Sequence, residues 1–255
     1  MKKSLKKILF TVLTVFAIFF VVACGNKEDT KINKEEVIKN FSEASNNVKS
    51  ADVVTTVNMT PKKGGESINV TVAASLIVEP LTLKMTMETK GQNIKINSFI
   101  KDDVMYIQNP VDNTWIKQTL PKEVSEQFKH ITNNNIDNYE LFKDNLDKID
   151  IKEKDGNYLI SIIKDTGFLK EAMKKQNSNM GILGQGENFE VDNITLEYVV
   201  DKETYFTKSS VASFETKLQG QDVKVSTNTE FSNINNIKEI TIPEEALNAF
   251  TIPGK

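Results

Sequence analysis

Apolar side chains recur at every second position over much of this 255-residue chain. Successive side chains of a strand point to opposite faces of a sheet, so this period predicts strands with one buried face. The clearest case is residues 67–79, where the apolar set is Ile68, Val70, Val72, Ala74, Leu76 and Val78. Similar runs cover residues 81–88, 94–100, 104–108, 115–119, 149–154, 158–163, 194–200, 204–218 and 223–231. Short turns separate most of these strands, which favours an antiparallel meander.

Two turn signals predict tight hairpins. Residues 109–113 combine Asn, Pro and Asp between two short strands, as turns do. Asp155 and Gly156 join two further strands, and glycine accepts the positive φ that a two-residue hairpin needs. We interpret Trp115, directly after the first turn, as a packing or hairpin anchor.

Helical signals interrupt the strands in residues 33–48, 121–130, 139–146, 165–176 and 244–250. In the first segment Asn33 can cap the helix, and Glu35 and Glu36 lie in the first turn, where the helix dipole favours negative charge. Its apolar residues recur at helical spacing, at Val37, Ile38, Phe41, Ala44 and Val48. We expect this stripe to pack against a sheet, in a β-rich α+β fold.

The amino terminus has the layout of a secretory signal. Four lysines, at positions 2, 3, 6 and 7, precede an apolar stretch over residues 8–22, and small Ala23 comes before Cys24. Residues 21–24 resemble a bacterial lipobox. In bacterial lipoproteins that cysteine carries a thioether-linked diacylglyceryl group and becomes the mature amino terminus. The alternatives are an uncleaved transmembrane anchor and an ordinary signal peptide with an incidental thiol.

This resemblance predicts the organisation of the whole chain. Residues 1–23 are the lipoprotein signal peptide, residues 24–32 the lipidated cysteine with a polar tether, and residues 33–255 a single domain. The anchor implies attachment to the outer face of the bacterial cytoplasmic membrane, in a Gram-positive cell. With one cysteine in the sequence, and that one lipidated, the domain has no intramolecular disulfide.

Charge argues against nucleic acid as a partner. Removing the four leader lysines takes the formal net charge from −3 to −7. All basic residues other than one histidine are lysines, and the sequence has no arginine. It therefore lacks the planar guanidinium group that binds phosphate or carboxylate through two parallel hydrogen bonds. An AT-rich genome also explains the use of lysine in place of arginine. The codon bias and the weaker case for a phosphate-binding site are compatible with each other.

The sequence holds no convincing catalytic or metal site. His130, the only histidine, closes a polar helical segment and is interpreted as a solvated cation. Without a second histidine or a free cysteine, a zinc site would need carboxylates alone. The glycines at 181, 184 and 186 lack the Lys-Ser/Thr ending of a phosphate-binding loop. We therefore expect neither a metal nor a cofactor.

Carboxylate pairs do not suggest an acid and a base acting on one bond. Asp102 with Asp103, and Glu244 with Glu245, are adjacent in sequence. Neighbouring residues point to opposite faces of a strand and sit apart on a helix. We therefore expect a protein that is not an enzyme.

Taken together, the lipobox, the helix over residues 33–48, the long meander and the terminal residues 240–246 resemble the LolA/LppX-like bacterial lipoproteins. The resemblance spans most of residues 33–250 and rests on pattern, without a diagnostic short motif. It implies a strongly curved antiparallel sheet, an incomplete barrel, with helices covering the concave face and an apolar cavity between them. Members of known role bind acyl chains.

The candidate ligand-lining residues follow from strand alternation and from the flexibility of methionine, which suits variable apolar ligands. They are Val70, Val72, Leu83, Met85, Met87, Ile94 and Ile96. Ordinary core packing produces the same pattern.

Two functions remain open. The first is a noncatalytic, membrane-anchored lipoprotein that binds an acyl-chain lipid or another apolar ligand between sheet and helices. The second is a surface sensor or scaffold, with a filled core, that docks another cell-envelope protein.

Overall fold

The computed structural model describes residues 32–91, 94–122, 139, 142–163, 166–180, 191–218 and 220–251. The predicted signal peptide, Cys24, most of the tether, His130 and the glycines at 181, 184 and 186 lie outside these residues. The described strands are β1 Ser50–Pro61, β2 Ile68–Ile77, β3 Thr82–Thr89, β4 Ile94–Lys101, β5 Val104–Gln108, β6 Trp115–Thr119, β7 Asp150–Lys154, β8 Asn157–Ile162, β9 Val191–Asp201, β10 Thr207–Leu218, β11 Gln221–Ser232 and β12 Phe250–Thr251. The described helices are α1 Lys34–Asn46, α2 Gly167–Met180 and α3 Glu244–Leu247, with a 3₁₀ turn at Leu146–Lys148.

All twelve strands belong to one sheet. Their order is β12-β6-β5-β4-β3-β2-β1-β11-β10-β9-β8-β7. Pairing is antiparallel between the strands whose register is resolved, except that β12 runs parallel to β6. The sheet is curved and does not close, which confirms the predicted β-rich α+β class and the incomplete barrel.

The chain divides into two compact units, and each contains part of this sheet. Unit 1 holds α1, α2, β7 to β11 and the second half of β1, whereas unit 2 holds β2 to β6, α3, β12 and the first half of β1. The expectation of a single domain over residues 33–255 stays a prediction.

In unit 1, α1 forms where the sequence predicts it. The Asn33 side chain accepts a hydrogen bond from the backbone N–H of Glu36 at 3.3 Å, which confirms the predicted cap. The apolar stripe of α1 is buried through Val37, Ile38 and Phe41, and Phe41 packs against Tyr198 of β9. α2 contacts β9 as well, so both helices lie against the strands that follow.

In unit 2, the last described segment packs on one face of the sheet. Ile240, Ile242 and Ala246 form a buried cluster with Phe99 of β4 and Tyr106 of β5. Trp115 packs against this cluster, which confirms its predicted packing role. α3 contacts β5 and β6.

Three local features differ from what the sequence pattern indicates. The helix predicted over residues 244–250 ends at Leu247, because Phe250 and Thr251 pair with β6 as β12. Asp102 and Asp103 are not strand residues: both form the β4–β5 turn, with φ of 52° and 56°. Strand β1 is not among the strands predicted from the sequence.

Among the described residues no helix is both long enough and apolar enough to cross a membrane.

Candidate ligand-binding surfaces

The seven predicted ligand-lining residues share one face of β2, β3 and β4. In the strand register Val72 lies opposite Met87, which lies opposite Ile96. Directly opposed residues on antiparallel strands share a face. The adjacent rows on this face are Val70–Thr89–Ile94, Ala74–Met85–Ser98 and Leu76–Leu83–Ile100. We call this side of β2 to β6 the apolar face.

Burial divides the predicted residues into two groups. Val70 and Val72 are fully buried, and Met87 and Ile96 are at most 4% exposed. Leu83, Met85 and Ile94 are only half-buried.

The apolar face continues beyond the predicted residues. The row through Met85 and Ser98 extends to Ile107 and Ile116, and Met105 lies opposite Ile100 in the neighbouring row. All three added residues are half-buried. The alternation in β5 and β6 signals them, but the strands are too short for the pattern to stand out without the register.

The opposite side of the same strands, which we call the polar face, carries a row of hydrogen-bonding side chains. Thr86 donates from Oγ1 to Oδ1 of Asn97 at 2.8 Å. Asn97 donates from Nδ2 to Oε1 of Gln108 at 2.7 Å, and Gln108 donates from Nε2 to the backbone carbonyl of Asn113 at 3.2 Å. Gln108 in turn lies opposite Trp115 in the register. The row is therefore held in place by its own hydrogen bonds.

A groove of about 470 Å³ opens over this row, and we call it the amide groove. Its floor comes from β3 to β6 and its wall from Pro243 and Glu245 at the start of α3. The floor residues are Lys84, Met85, Thr86, Asn97, Phe99, Gln108 and Trp115, and Asn113 borders it from the β5–β6 turn. Of the predicted ligand-lining residues, Met85 is the one that borders this groove, although the register places its side chain on the apolar face. No pattern in the sequence indicates this groove.

Unit 1 contains a much smaller void. A cavity of about 20 Å³ lies between α2 and strands β9 and β10, lined by Leu169, Ala172, Met173, Ile194, Thr195, Leu196, Ala212 and Phe214. One water molecule needs roughly 10 to 15 Å³ of such space, and pockets for small ligands are typically some 300 to 1,000 Å³. In this structure the void is too small for an acyl chain.

A row of buried hydroxyl groups crosses unit 1 beside these residues. Tyr198, Ser210 and Thr229 are opposed on β9, β10 and β11, and each is at most 2% exposed. Burial raises the pKa of Tyr198 well above its usual range, so this phenol stays protonated. The Oγ of Ser210 has no hydrogen-bond partner in the part of the chain that the structure describes.

No group of three or more His, Cys, Asp or Glu side chains in the described ranges is arranged to hold a metal ion. The Asp102 and Asp103 carboxylates lie in an exposed turn. Glu244 and Glu245 are both exposed at the start of α3, and Glu245 alone of the two lines the amide groove.

Residues 33–251 match the model of a family of unknown function, DUF6612, and the chain belongs to this family. No curated protein sequence matches the chain.

Solved structures similar to this chain include two mycobacterial proteins. The lipoprotein LppX of Mycobacterium tuberculosis is 12% identical, with 82% of this chain and 97% of LppX covered and a TM-score of 0.42. LprF of Mycobacterium bovis is 15% identical, with 83% and 96% covered and a TM-score of 0.43. A LolA superfamily protein from Nitrosomonas europaea is 9% identical, with 84% and 97% covered and a TM-score of 0.25. The LolA/LppX-like proteins expected from the sequence are thus among the matches.

Proposed function

We propose that this protein is a noncatalytic lipoprotein that binds an acyl-chain lipid, or another apolar ligand, on the apolar face of β2 to β6. It is anchored through a diacylglyceryl group on Cys24 at the outer face of the cytoplasmic membrane of a Gram-positive bacterium. The basic and apolar leader before Cys24 supports the anchor.

The observation that carries the ligand proposal is the half-buried part of the apolar face. Leu83, Met85, Met105, Ile107 and Ile116 leave part of their apolar surface exposed on neighbouring strands. An acyl chain laid across them would remove this surface from water together with its own methylenes, each worth about 0.8 kcal/mol. Two of these residues are methionines, whose flexible thioethers adapt to chains of different shape.

The small void in unit 1 favours a second candidate. The interior of unit 1 around this void has no room for a ligand. A sensor or scaffold that docks another envelope protein does not need an internal ligand site. In that case the apolar face of unit 2 is the contact surface, and the partner is a protein.

Lipid extraction of the full-length protein tests the first candidate. The chain is purified from its own membrane, and its intact mass is measured before and after extraction with organic solvent. Acyl lipids that leave on extraction support the proposal, whereas the covalent diacylglyceryl group remains on the chain. A mass that extraction does not change contradicts it.

Displacement of a fluorescent fatty acid by palmitate then locates the ligand. Met85→Glu places a charge on the half-buried apolar face, so we expect palmitate affinity to fall about tenfold or more. The control is Thr119→Glu, which places the same charge on an exposed residue of the polar face. Equal affinities in the two variants would exclude the apolar face as the binding surface, and chemical crosslinking that captures one specific envelope protein would then support the docking module.

The anchor is tested separately with Cys24→Ser. Because the sequence contains one cysteine, incorporation of a labelled palmitate through a thioether-linked diacylglyceryl group should vanish completely. Retention of the label in this variant would refute the lipobox assignment.

A further inference from the structure

The amide groove has hydrogen-bonding capacity that its own contacts leave unused. A primary amide offers two N–H donors and an oxygen with two lone pairs. Asn97 donates one hydrogen bond to Gln108 and accepts one from Thr86. Gln108 donates one hydrogen bond to the Asn113 carbonyl and accepts one from Asn97. Each amide thus retains a donor and an acceptor, already oriented.

An aromatic surface lies next to these amides. The rings of Trp115 and Phe99 pack with centroids 5.7 Å apart and planes inclined by 44°. Phe99 is buried, so it fixes the position of the half-buried indole. Both residues line the groove, within which the amides of Asn97 and Gln108 also lie.

Charge in the groove is balanced. Lys84 lies in the floor and Glu245 on the wall, and both are exposed. No ion pair joins them or ties either to another described residue. A groove with one lysine and one carboxylate does not favour a phosphate-bearing ligand, and an acyl chain would leave the amides of Asn97 and Gln108 in the floor without partners.

We propose that the amide groove binds a saccharide. Sugar hydroxyls donate and accept at once, which matches the donor and acceptor left on each amide, and the C–H face of a pyranose packs on an aromatic ring. The volume of about 470 Å³ is within the usual range for small-molecule sites and accommodates a short oligosaccharide segment. Glu245 is the one carboxylate among the described residues that line the groove, so the two-carboxylate arrangement of glycoside hydrolysis is not present there. The groove therefore binds the sugar without cleaving it.

Trp115 makes the test direct, because it is the only tryptophan in the sequence. Full-length protein is titrated with chitotetraose, maltotetraose and cellotetraose while tryptophan emission is recorded. We expect at least one of these sugars to give a saturable change in emission. Inorganic phosphate and palmitate, titrated in the same way, are expected to leave the emission unchanged.

The decisive comparison uses one substitution at two sites. Gln108→Met keeps the size of the side chain and removes its donor and acceptor in the groove, so saccharide affinity should fall about tenfold. Gln118→Met makes the same change on the neighbouring strand, at an exposed position of the opposite face, and should leave affinity unaltered. Equal loss in both variants, or a saturable response to none of the three sugars, overturns the proposal.

A second pair of variants tests the groove independently, in case Gln108→Met disrupts the local fold. Glu245→Gln and Glu244→Gln alter adjacent exposed residues of α3, of which Glu245 alone lines the groove. We expect weaker saccharide binding in Glu245→Gln and wild-type binding in Glu244→Gln. A response to phosphate that Glu245→Gln strengthens would instead assign the groove to an anion at Lys84. A response to palmitate with none to sugar also rejects the saccharide site, but it does not place palmitate in the groove, because the apolar face that we propose for palmitate includes Ile116, the neighbour of Trp115.

Discussion

The ring of Phe41 meets the ring of Tyr198 edge-on, with centroids 5.6 Å apart and planes inclined by 67°. Phe41 lies on α1 and Tyr198 on β9, and neither is more than 2% exposed. An edge-to-face pair of this kind adds about 0.5 to 1.5 kcal/mol to the burial of the two rings. It joins the first described helix of unit 1 to a strand that follows it by about 150 residues, so two segments far apart in sequence are packed together.

Replacing Phe41 by alanine should lower the free energy of unfolding by about 3 to 5 kcal/mol, because the change removes a fully buried ring and leaves a cavity. Chemical denaturation monitored by circular dichroism measures the difference. Phe250→Ala is the control, since that ring is 86% exposed and its loss should change stability by less than about 0.5 kcal/mol. Similar losses in both variants would contradict the packing described for α1.

Replacing Gly156 by alanine should destabilise the β7–β8 hairpin by about 1 kcal/mol. Gly156 has φ of +73°, where a side chain is strained, although an added Cβ would meet no atom within 4 Å. Gly167→Ala is the matched control, because that site is equally open and its backbone is not left-handed. Thermal unfolding separates the two variants, and an equal Tm for both would argue against the turn geometry.

Ser210→Ala should stabilise the protein, by about 1 kcal/mol, because it removes a buried hydroxyl that has no hydrogen-bond partner. Ser213→Ala on the same strand should instead cost about 1 kcal/mol, since the Oγ of Ser213 lies 2.8 Å from Oγ1 of Thr195. Denaturant titration of both variants measures the contrast. A loss of stability in Ser210→Ala would mean that its hydroxyl has a partner, such as a bound water.

Asp201 should make stability depend on pH in the acid range. Its carboxylate accepts hydrogen bonds from the Lys208 ammonium at 2.7 Å and from the backbone and hydroxyl of Thr204, and these contacts hold its pKa well below the usual value for aspartate. A depressed pKa in the folded state stabilises the protein above the unfolded pKa of about 3.9, and this contribution is lost as the pH falls through the folded pKa.

Asp201→Asn should therefore cost about 1 kcal/mol at neutral pH, a modest amount because the site is partly solvated. The difference from wild type should shrink as the pH is lowered below about 4. Asp222→Asn, at an exposed site, serves as the control for the substitution itself. A difference for Asp201→Asn that stays constant down to pH 2 would contradict the role of the carboxylate charge.

Elements with a strong local signal could be predicted from the sequence, and α1 is the best example. Its cap, first-turn charges and apolar stripe all lie within one short segment. The strands β5 and β6 were also predicted with the observed bounds, because turn residues mark both of their ends. In contrast, β1 was missed although Ala51, Val53 and Val57 are buried on alternate positions.

The β4–β5 turn shows why some local features escape prediction. Asp102 and Asp103 both adopt positive φ without any glycine. They fall between the strands predicted over residues 94–100 and 104–108, but their residue type alone does not specify this turn conformation. The register of Lys101 opposite Val104 settles their position, and register is a property of the folded sheet.

The amide groove could not be predicted from the sequence for a similar reason. Thr86, Asn97 and Gln108 are each separated by eleven residues, and they meet because strands and turns between them have matching lengths. No pattern in one segment indicates this. The wall of the groove comes from α3, which contacts β5 and β6 although more than 120 residues separate them in sequence.

Both outer strands of the sheet are poor templates for another chain. β12 is only two residues long and lies along β6, whereas β7 at the other end has five residues, four of them charged. Unpaired strand edges otherwise recruit strands from neighbouring molecules, and short or charged edge strands prevent it. Copies of this protein that crowd together are thus kept from joining edge to edge into larger sheets.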